Sequence, residues 1–209
     1  MPDRLQVALS VDALGPRLTG IGRYCLELAQ RLPHEMGADK VTYFRGDHWI
    51  DNPLELLAED WRPAKRPKWR RRYDAWQRRR KLVDCVVHGP NYFLPAWAER
   101  GIATIHDLSV HLFPETHPVE RVKAFEERFE HTLQQARMLI TDTATVRQEL
   151  IDVFGVAPDR VRSVALGIPQ VRTDPDLSPL HALELRQGRY ILCVSTFEPR
   201  KRIDRLVAA

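Results

Sequence analysis

Short apolar runs alternate along this chain with stretches in which apolar residues recur every three to four positions. The first pattern is typical of buried strands, and the second is typical of helices that cover one side of a sheet. Buried strands are predicted at residues 5–11, 41–45, 85–88, 102–106, 138–141 and 161–167. Because strands that alternate with helices pair in parallel, the sequence predicts an α/β domain with a parallel sheet and helices on both faces.

Three of the intervening stretches carry a helical repeat. One runs from about residue 21 to 32 after a loop rich in Gly and Pro, and a second spans 118–137. The apolar positions of the second helix are Val119, Val122, Phe125, Phe129, Leu133 and Ala136. A third helix should end at Phe154. Thr143 or Thr145 can cap its start, since a hydroxyl accepts from the unpaired N–H groups of a first turn.

The chain changes character near its end. Residues 169–188 contain three prolines and mixed polarity, which indicates an interdomain linker. A further strand, YILCVS at 190–195, and an amphipathic stretch follow it, so that 189–209 resembles the truncated start of a second β-loop-α domain. We therefore expect a first domain at 1–168 and the greater part of a second one beyond the last residue.

One segment carries the excess positive charge. Residues 62–81 hold eleven Lys and Arg against one acid, a net +10, whereas the whole chain is +4. A generally basic protein would suggest a nucleic-acid partner, but a single basic insert suggests a local docking surface. Trp69, Tyr73 and Trp76 would share one face of a helix, which favours contact with an anionic membrane surface. A solvated basic loop is the alternative.

Composition also bears on the compartment. No apolar run approaches the roughly 20 residues that cross a bilayer, and the N-terminal apolar stretch is too short and interrupted for a secretory signal. We therefore predict a cytoplasmic protein, peripheral on the inner face of the membrane if the basic segment docks there. Cys25, Cys85 and Cys193 lie far apart without zinc-like spacing, which favours buried free thiols.

Three motifs, in their order and spacing, resemble one known family. They are LTGIGRYCLELAQRL at 18–32, HGPNYFLP with TIHDLS at 88–95 and 104–109, and VSTFEPRKRIDRL at 194–206. Together they resemble the retaining GT-B glycosyltransferases grouped as family 4, particularly the mannosyltransferase-like members of polysaccharide and O-antigen pathways. The resemblance implies the Rossmann-like, acceptor-side N-terminal half of a two-domain enzyme, whose donor-binding domain begins at residue 189.

The resemblance also implies roles for individual residues. A histidine at the position of His106 contacts the transferred sugar near its anomeric carbon in this family, without being a general base. Asp107 is a weaker catalytic candidate that would orient His106 through a hydrogen bond. Both end a strand, where α/β sheets bind ligands, and a plain hydrogen-bonded turn is the alternative. Gly20 and Gly22 would face the donor diphosphate and the acceptor, unless they only permit a tight turn.

Arg200 and Lys201 match the EPRK turn of the family, in which the lysine contacts the donor diphosphate. Two cations at a helix start oppose the helix dipole, so an anion in front of them explains why they are tolerated. Ordinary solvated charges are the alternative. The sequence departs from the family pattern at Ser195 and Thr196, where many relatives carry a second diphosphate-binding arginine; Arg200 can take over that role.

We therefore expect a glycosyltransferase that transfers a hexose from a nucleotide sugar to a glycan or lipid-linked acceptor and retains the anomeric configuration. Mannose from GDP-mannose is the first candidate. The donor is a substrate, and we expect no cofactor and no metal, because no carboxylate pair is spaced after a strand to hold a divalent ion. The 209 residues alone should be inactive. An Arg/Trp-rich nucleic-acid-binding protein and an inactive sugar-binding or regulatory module are the alternatives; motif order makes a nucleic-acid partner unexpected.

Overall fold

A mostly parallel sheet organises the part of the chain that the computed structural model describes. The described residues are 5–62, 85–98, 101–168, 176–186 and 188–209, together with Pro67, Tyr73, Trp76, Arg80, Leu82 and Asp174. Their strands are β1 (Gln6–Ser10), β2 (Val41–Arg45), β3 (His48–Ile50), β4 (Cys85–Gly89), β5 (Gly101–Ile105), β6 (Ala136–Thr141) and β7 (Val161–Ser163). They form one sheet in the order β3-β2-β1-β4-β5-β6-β7, in which only β2 and β3 pair antiparallel.

Strand β3 is the element of the sheet that the sequence did not predict. It is three residues long and follows β2 after the two-residue loop Gly46–Asp47. Gly46 has a φ of 51°, in the left-handed region that favours glycine, which lets the chain reverse at once. A strand this short is too brief to show an alternating pattern of its own.

The helices with defined bounds are α1 (Gly20–Met36), α2 (Ser109–Leu112), α3 (Val119–Gln135), α4 (Ala144–Phe154), α5 (Ser178–Ala182) and α6 (Ile203–Ala208). Hydroxyl caps begin the two helices that follow β1 and β6. The Oγ1 of Thr19 accepts from the backbone N of Gly22 at 3.1 Å. The Oγ1 of Thr143 accepts from the backbone N of Val146 at 3.2 Å, so Thr143 is the cap of α4.

The hydrophobic core lies on both faces of the sheet. Ala8 of β1 packs in a cluster that contains Phe129 of α3. Its neighbour Leu9 packs in a second cluster that contains Cys25 of α1. Because successive side chains of a strand point to opposite faces, α1 and α3 cover opposite faces of the sheet. The predicted α/β, Rossmann-like fold with helices on both faces is therefore confirmed.

The predicted strand at 190–195 is wrong. The backbone of this segment has no strand structure, and no described strand pairs with it. Its apolar side chains are exposed, as the fractions 87% for Ile191, 74% for Leu192 and 86% for Val194 show. A β-branched sequence favours a strand only when a neighbour takes up its backbone hydrogen bonds, and this segment has none among the described residues. Strand β7 likewise ends at Ser163, four residues earlier than predicted.

Two of the three cysteines follow the prediction. Cys25 and Cys85 are buried thiols outside any disulfide, whereas Cys193 is exposed because it lies in the segment without a sheet neighbour among the described residues. The prediction of a buried thiol is therefore wrong for Cys193. The domain boundaries at 168 and 188 stay predictions. Within the described ranges, no helix is both long and apolar enough to span a bilayer.

Candidate active site

The carboxyl ends of β4, β5 and β6 bring polar groups together at one edge of the sheet. Pro90 follows β4, His106 follows β5 and Asp142 follows β6. In the parallel pairing of β5 with β6, Ile105 lies opposite Thr141, so the residues that come next, His106 and Asp142, emerge side by side. This edge is where α/β sheets bind ligands.

Both ring nitrogens of His106 are engaged by the protein. Nδ1 lies 2.7 Å from Oδ2 of Asp142, and Nε2 lies 2.9 Å from the carbonyl oxygen of Pro90. A carbonyl oxygen only accepts, so Nε2 carries the hydrogen of that bond. The prediction that Asp107 orients His106 is therefore wrong, because Asp142 and Pro90 occupy the two positions through which a neighbour could hold the ring.

Asp107 has a different set of partners. Its Oδ1 accepts from the hydroxyl of Tyr92 at 2.8 Å, from the backbone N of Ser109 at 2.9 Å and from the hydroxyl of Ser109 at 2.7 Å. Burial would raise the pKa of the Asp107 carboxyl, but the hydrogen bonds from Ser109 and Tyr92 and the nearby charge of Arg200 outweigh it, and the pKa lies below its ordinary value. Asp107 is thus a fixed negative charge beside His106.

A buried polar network lies under the ring of His106. Nε2 of His88 lies 2.9 Å from Oγ1 of Thr104, and that oxygen lies 3.2 Å from the hydroxyl of Tyr24. The ring of Tyr24 meets the ring of His106 edge-on, with centroids 5.0 Å apart. Burial, followed by the proximity of His106, lowers the pKa of His88 to about 4, so His88 is neutral at neutral pH.

The two glycines at the start of α1 differ in what surrounds them. A side-chain carbon on Gly22 would lie 3.0 Å from the carbonyl oxygen of Ala13 and 3.2 Å from Cδ2 of Leu18, so the close packing of this loop favours glycine. Gly20 has nothing within 4 Å of that position, and neither glycine has a positive φ. A tight turn therefore does not explain Gly20, and its role toward a donor stays a prediction.

The EPRK turn carries a charge that acts on Asp107. Pro199–Lys201 forms a single 3-10 turn, and a terminal nitrogen of Arg200 lies 3.2 Å from Oε2 of Glu198. The charge of Arg200 contributes to the lowered pKa of the Asp107 carboxyl, less than the hydrogen bonds from Ser109 and Tyr92 do. Lys201 is exposed, and no hydrogen bond joins it to His106 or Asp107. The roles of Arg200 and Lys201 stay predictions.

Sequence reasoning missed three residues of this site. Asp142, Tyr24 and His88 contact His106 or the network beneath it. Tyr24 and His88 lie within the motifs at 18–32 and 88–95 but were given no role, and Asp142 lies outside the motifs. Asp142 could have been found from its position, because it directly follows the predicted strand at 138–141, the next strand in the chain after the one that ends at His106. The strand order that makes those two strands neighbours emerges only from the folded sheet.

Comparisons with known proteins match nearly the whole chain. The sequence model described as Glycosyltransferase Family 4 matches residues 18–172. The chain is also similar to O-antigen chain mannosyltransferase B of Escherichia coli, with 32% identity over 229 aligned residues. That alignment covers 98% of this chain and 59% of the Escherichia coli protein. The chain thus spans less than two thirds of the length of this relative.

The buried neutral state of His88 predicts an acid-sensitive fold. The unfolded chain takes up the proton near the ordinary pKa of about 6.5. The folded chain resists protonation of His88 until about pH 4. This contribution to the free energy of unfolding is therefore complete above about pH 6.5 and lost as the pH falls toward 4, by on the order of 3 kcal/mol.

Urea unfolding at pH 7 and pH 4.5 checks this expectation. His88→Gln removes the titration, so the variant should lose less unfolding free energy than the wild type between the two pH values. His181→Gln, at an exposed position of α5, is the control and should behave as the wild type. Equal losses in the wild type and His88→Gln would contradict the assignment.

Proposed function

Because this chain belongs to glycosyltransferase family 4, we propose that the protein transfers mannose from a nucleotide sugar to a hydroxyl of a glycan or lipid-linked acceptor. GDP-mannose is the first candidate donor, and the anomeric configuration of the sugar is retained. The family resemblance inferred from the motifs is confirmed. The choice of mannose is supported by the name of the Escherichia coli relative, an O-antigen chain mannosyltransferase. The donor nucleotide, the acceptor and the stereochemical outcome belong to the proposal.

The observation that carries the proposal is the arrangement of charges at the carboxyl edge of the sheet. His106 presents a ring fixed by Asp142 and Pro90, and the ionised Asp107 lies beside it with the cation of Arg200 nearby. A sugar whose leaving group is a diphosphate needs a cation to take up the charge that develops on departure. Arg200 and Lys201 supply two candidate cations for that task, without a metal or other cofactor.

The hydrogen bonding of His106 also bears on the proton of the acceptor hydroxyl. Neither ring nitrogen is free to remove a proton, because one donates to a carbonyl oxygen and the other faces a carboxylate. We therefore assign His106 to positioning the transferred sugar. The departing phosphate, which becomes more basic as the bond to the sugar breaks, is the proposed proton acceptor.

The proposed function is tested by incubating the complete protein with GDP-mannose and a mannose-terminated acceptor. NMR of the product should show the same anomeric configuration as the donor, since retention is proposed. The 209-residue chain should give no product under the same conditions. Transfer with inverted configuration, transfer by the 209-residue chain alone, or a preference for a UDP-sugar would each contradict part of the proposal.

In the same assay, His106→Ala should lower kcat more than it raises the KM for the donor. A group near the reacting carbon acts chiefly in the transition state, so a loss on the order of 100-fold in kcat is expected. Lys201→Ala should weaken both donor binding and turnover, because a diphosphate ligand acts throughout the reaction. His181→Ala and Arg205→Ala, at exposed positions, are the matched controls. If His106→Ala keeps the kcat and the KM of the wild type, the role of His106 is structural.

We also propose that residues 62–81 bring the protein to an anionic membrane surface. Tyr73 and Trp76 are 51% and 52% exposed, and their ring centroids lie 5.9 Å apart. The guanidinium carbon of Arg80 lies 4.9 Å from the ring centroid of Trp76. Exposed aromatic rings with a cation beside them fit the membrane interface, where rings are partly buried and cations meet anionic head groups. Trp69 lies outside the described residues.

Liposome co-sedimentation checks the membrane contact. Binding should require anionic lipid, fall with added salt and drop when Arg70, Arg71, Arg72, Arg78, Arg79 and Arg80 become Gln. A control with the same change in net charge replaces exposed arginines elsewhere, namely Arg17, Arg31, Arg137, Arg162, Arg186 and Arg205. If both variants bind alike, or if the wild type ignores anionic liposomes at low salt, residues 62–81 are not a docking surface.

A further inference from the structure

Asp142 and His106 form a contact that no motif predicts. They lie 36 positions apart in the sequence, yet Oδ2 of the one is 2.7 Å from Nδ1 of the other. Both side chains are largely buried, with exposed fractions of 14% for Asp142 and 10% for His106. The contact follows from the parallel register of β5 and β6, and it places a carboxylate directly behind the proposed sugar contact.

Packing alone does not account for a carboxylate at this position. The second oxygen of Asp142, Oδ1, is buried and has no hydrogen-bond partner among the described residues. Taking a carboxylate out of water is costly unless partners compensate it, and here the hydrogen-bonded partner of its side chain is the imidazole of His106. A residue whose side chain is committed to a single neighbour in this way acts through that neighbour.

The hydrogens of the pair can be counted. The carbonyl oxygen of Pro90 requires a hydrogen on Nε2 of His106, and the short contact between Nδ1 and Asp142 requires another hydrogen between those two atoms. The two side chains therefore share two hydrogens, either as imidazolium with carboxylate or as imidazole with carboxylic acid. In both cases Nε2 is a donor.

We propose that Asp142 is a positioning residue for sugar transfer: it holds Nδ1 of His106 while the Pro90 carbonyl holds Nε2, and the ring is thereby fixed in one orientation toward the sugar. This inference rests on the proposed function of His106. The Pro90 carbonyl accepts from the opposite ring nitrogen, and the edge contact with Tyr24 also limits rotation of the ring. When the sugar arrives, the ring is already oriented and need not be reorganised.

Two substitutions separate hydrogen bonding from charge. Asp142→Asn can donate from its amide to Nδ1, which leaves the hydrogen of a neutral ring on Nε2, facing Pro90. Asp142→Leu keeps a similar shape but offers no hydrogen bond to Nδ1. Asp152→Asn, at an exposed position of α4, is the control for removal of one acidic group.

The first readout is independent of activity. Long-range ¹H–¹⁵N NMR of the complete protein, labelled at histidine and assigned with His106→Gln, reports which ring nitrogen carries hydrogen. Nε2 should carry it in the wild type, in Asp142→Asn and in Asp152→Asn, whereas Asp142→Leu should show a mixture of tautomers. An unchanged ring state in folded Asp142→Leu would overturn the proposal.

The second readout is the split between kcat and KM with GDP-mannose. Asp142→Leu should lower kcat on the order of 100-fold while the KM for the donor stays within about threefold, and Asp142→Asn should recover most of the lost kcat. Equal losses of kcat in Asp142→Asn and Asp142→Leu would overturn the proposal.

If circular dichroism shows that the Leu variant does not fold, Asp142→Asn decides alone: hydrogen on Nε2 with near-normal kcat supports the proposal, and hydrogen on Nδ1 overturns it. A wild-type protein that transfers no sugar would overturn the proposed function, and the NMR result would still test the ring geometry.

Discussion

The parallel pairing of β5 with β6 is the constraint on which the candidate site depends. It fixes Ile105 opposite Thr141, and the next residue of each strand then emerges at the same edge at the same height. A shift of the register by one residue would turn every side chain of β6 to the other face and would separate Asp142 from His106. The geometry of the histidine is thus a property of backbone hydrogen bonds formed across the whole sheet.

The ionisable groups at this edge of the sheet differ in charge because their surroundings differ. His88 is kept neutral by burial, whereas the half-buried Asp107 keeps its charge because three hydrogen bonds outweigh its desolvation. Asp107 follows His106 directly in the chain, and His106 contributes to the lowered pKa of His88, so His106 has one anionic and one neutral neighbour. An active site that must stabilise charge on a departing group gains from such a division, because the dipoles and charges are in place before the reaction begins.

The fold could be predicted from the sequence because strand and helix patterns are local. The bounds of β2 and the cap at Thr143 follow from residues that lie next to each other. The predicted strand at 190–195 failed for the opposite reason, since a strand depends on a neighbour that the pattern cannot supply. His106 was found through its motif, but the partner of its ring was not, because Asp142 becomes its neighbour only through the order of the strands.

Tyr24 ties the first helix to the strand that carries His106. Its hydroxyl meets Thr104 of β5, and its ring edge meets the imidazole one turn after the glycine-flanked start of α1. The helix therefore cannot slide along the sheet or turn about its axis without breaking that hydrogen bond and withdrawing the ring from the histidine. A ligand that displaces the start of α1 therefore also disturbs the phenol against which the imidazole packs, so an event at the start of the helix reaches the histidine through Tyr24.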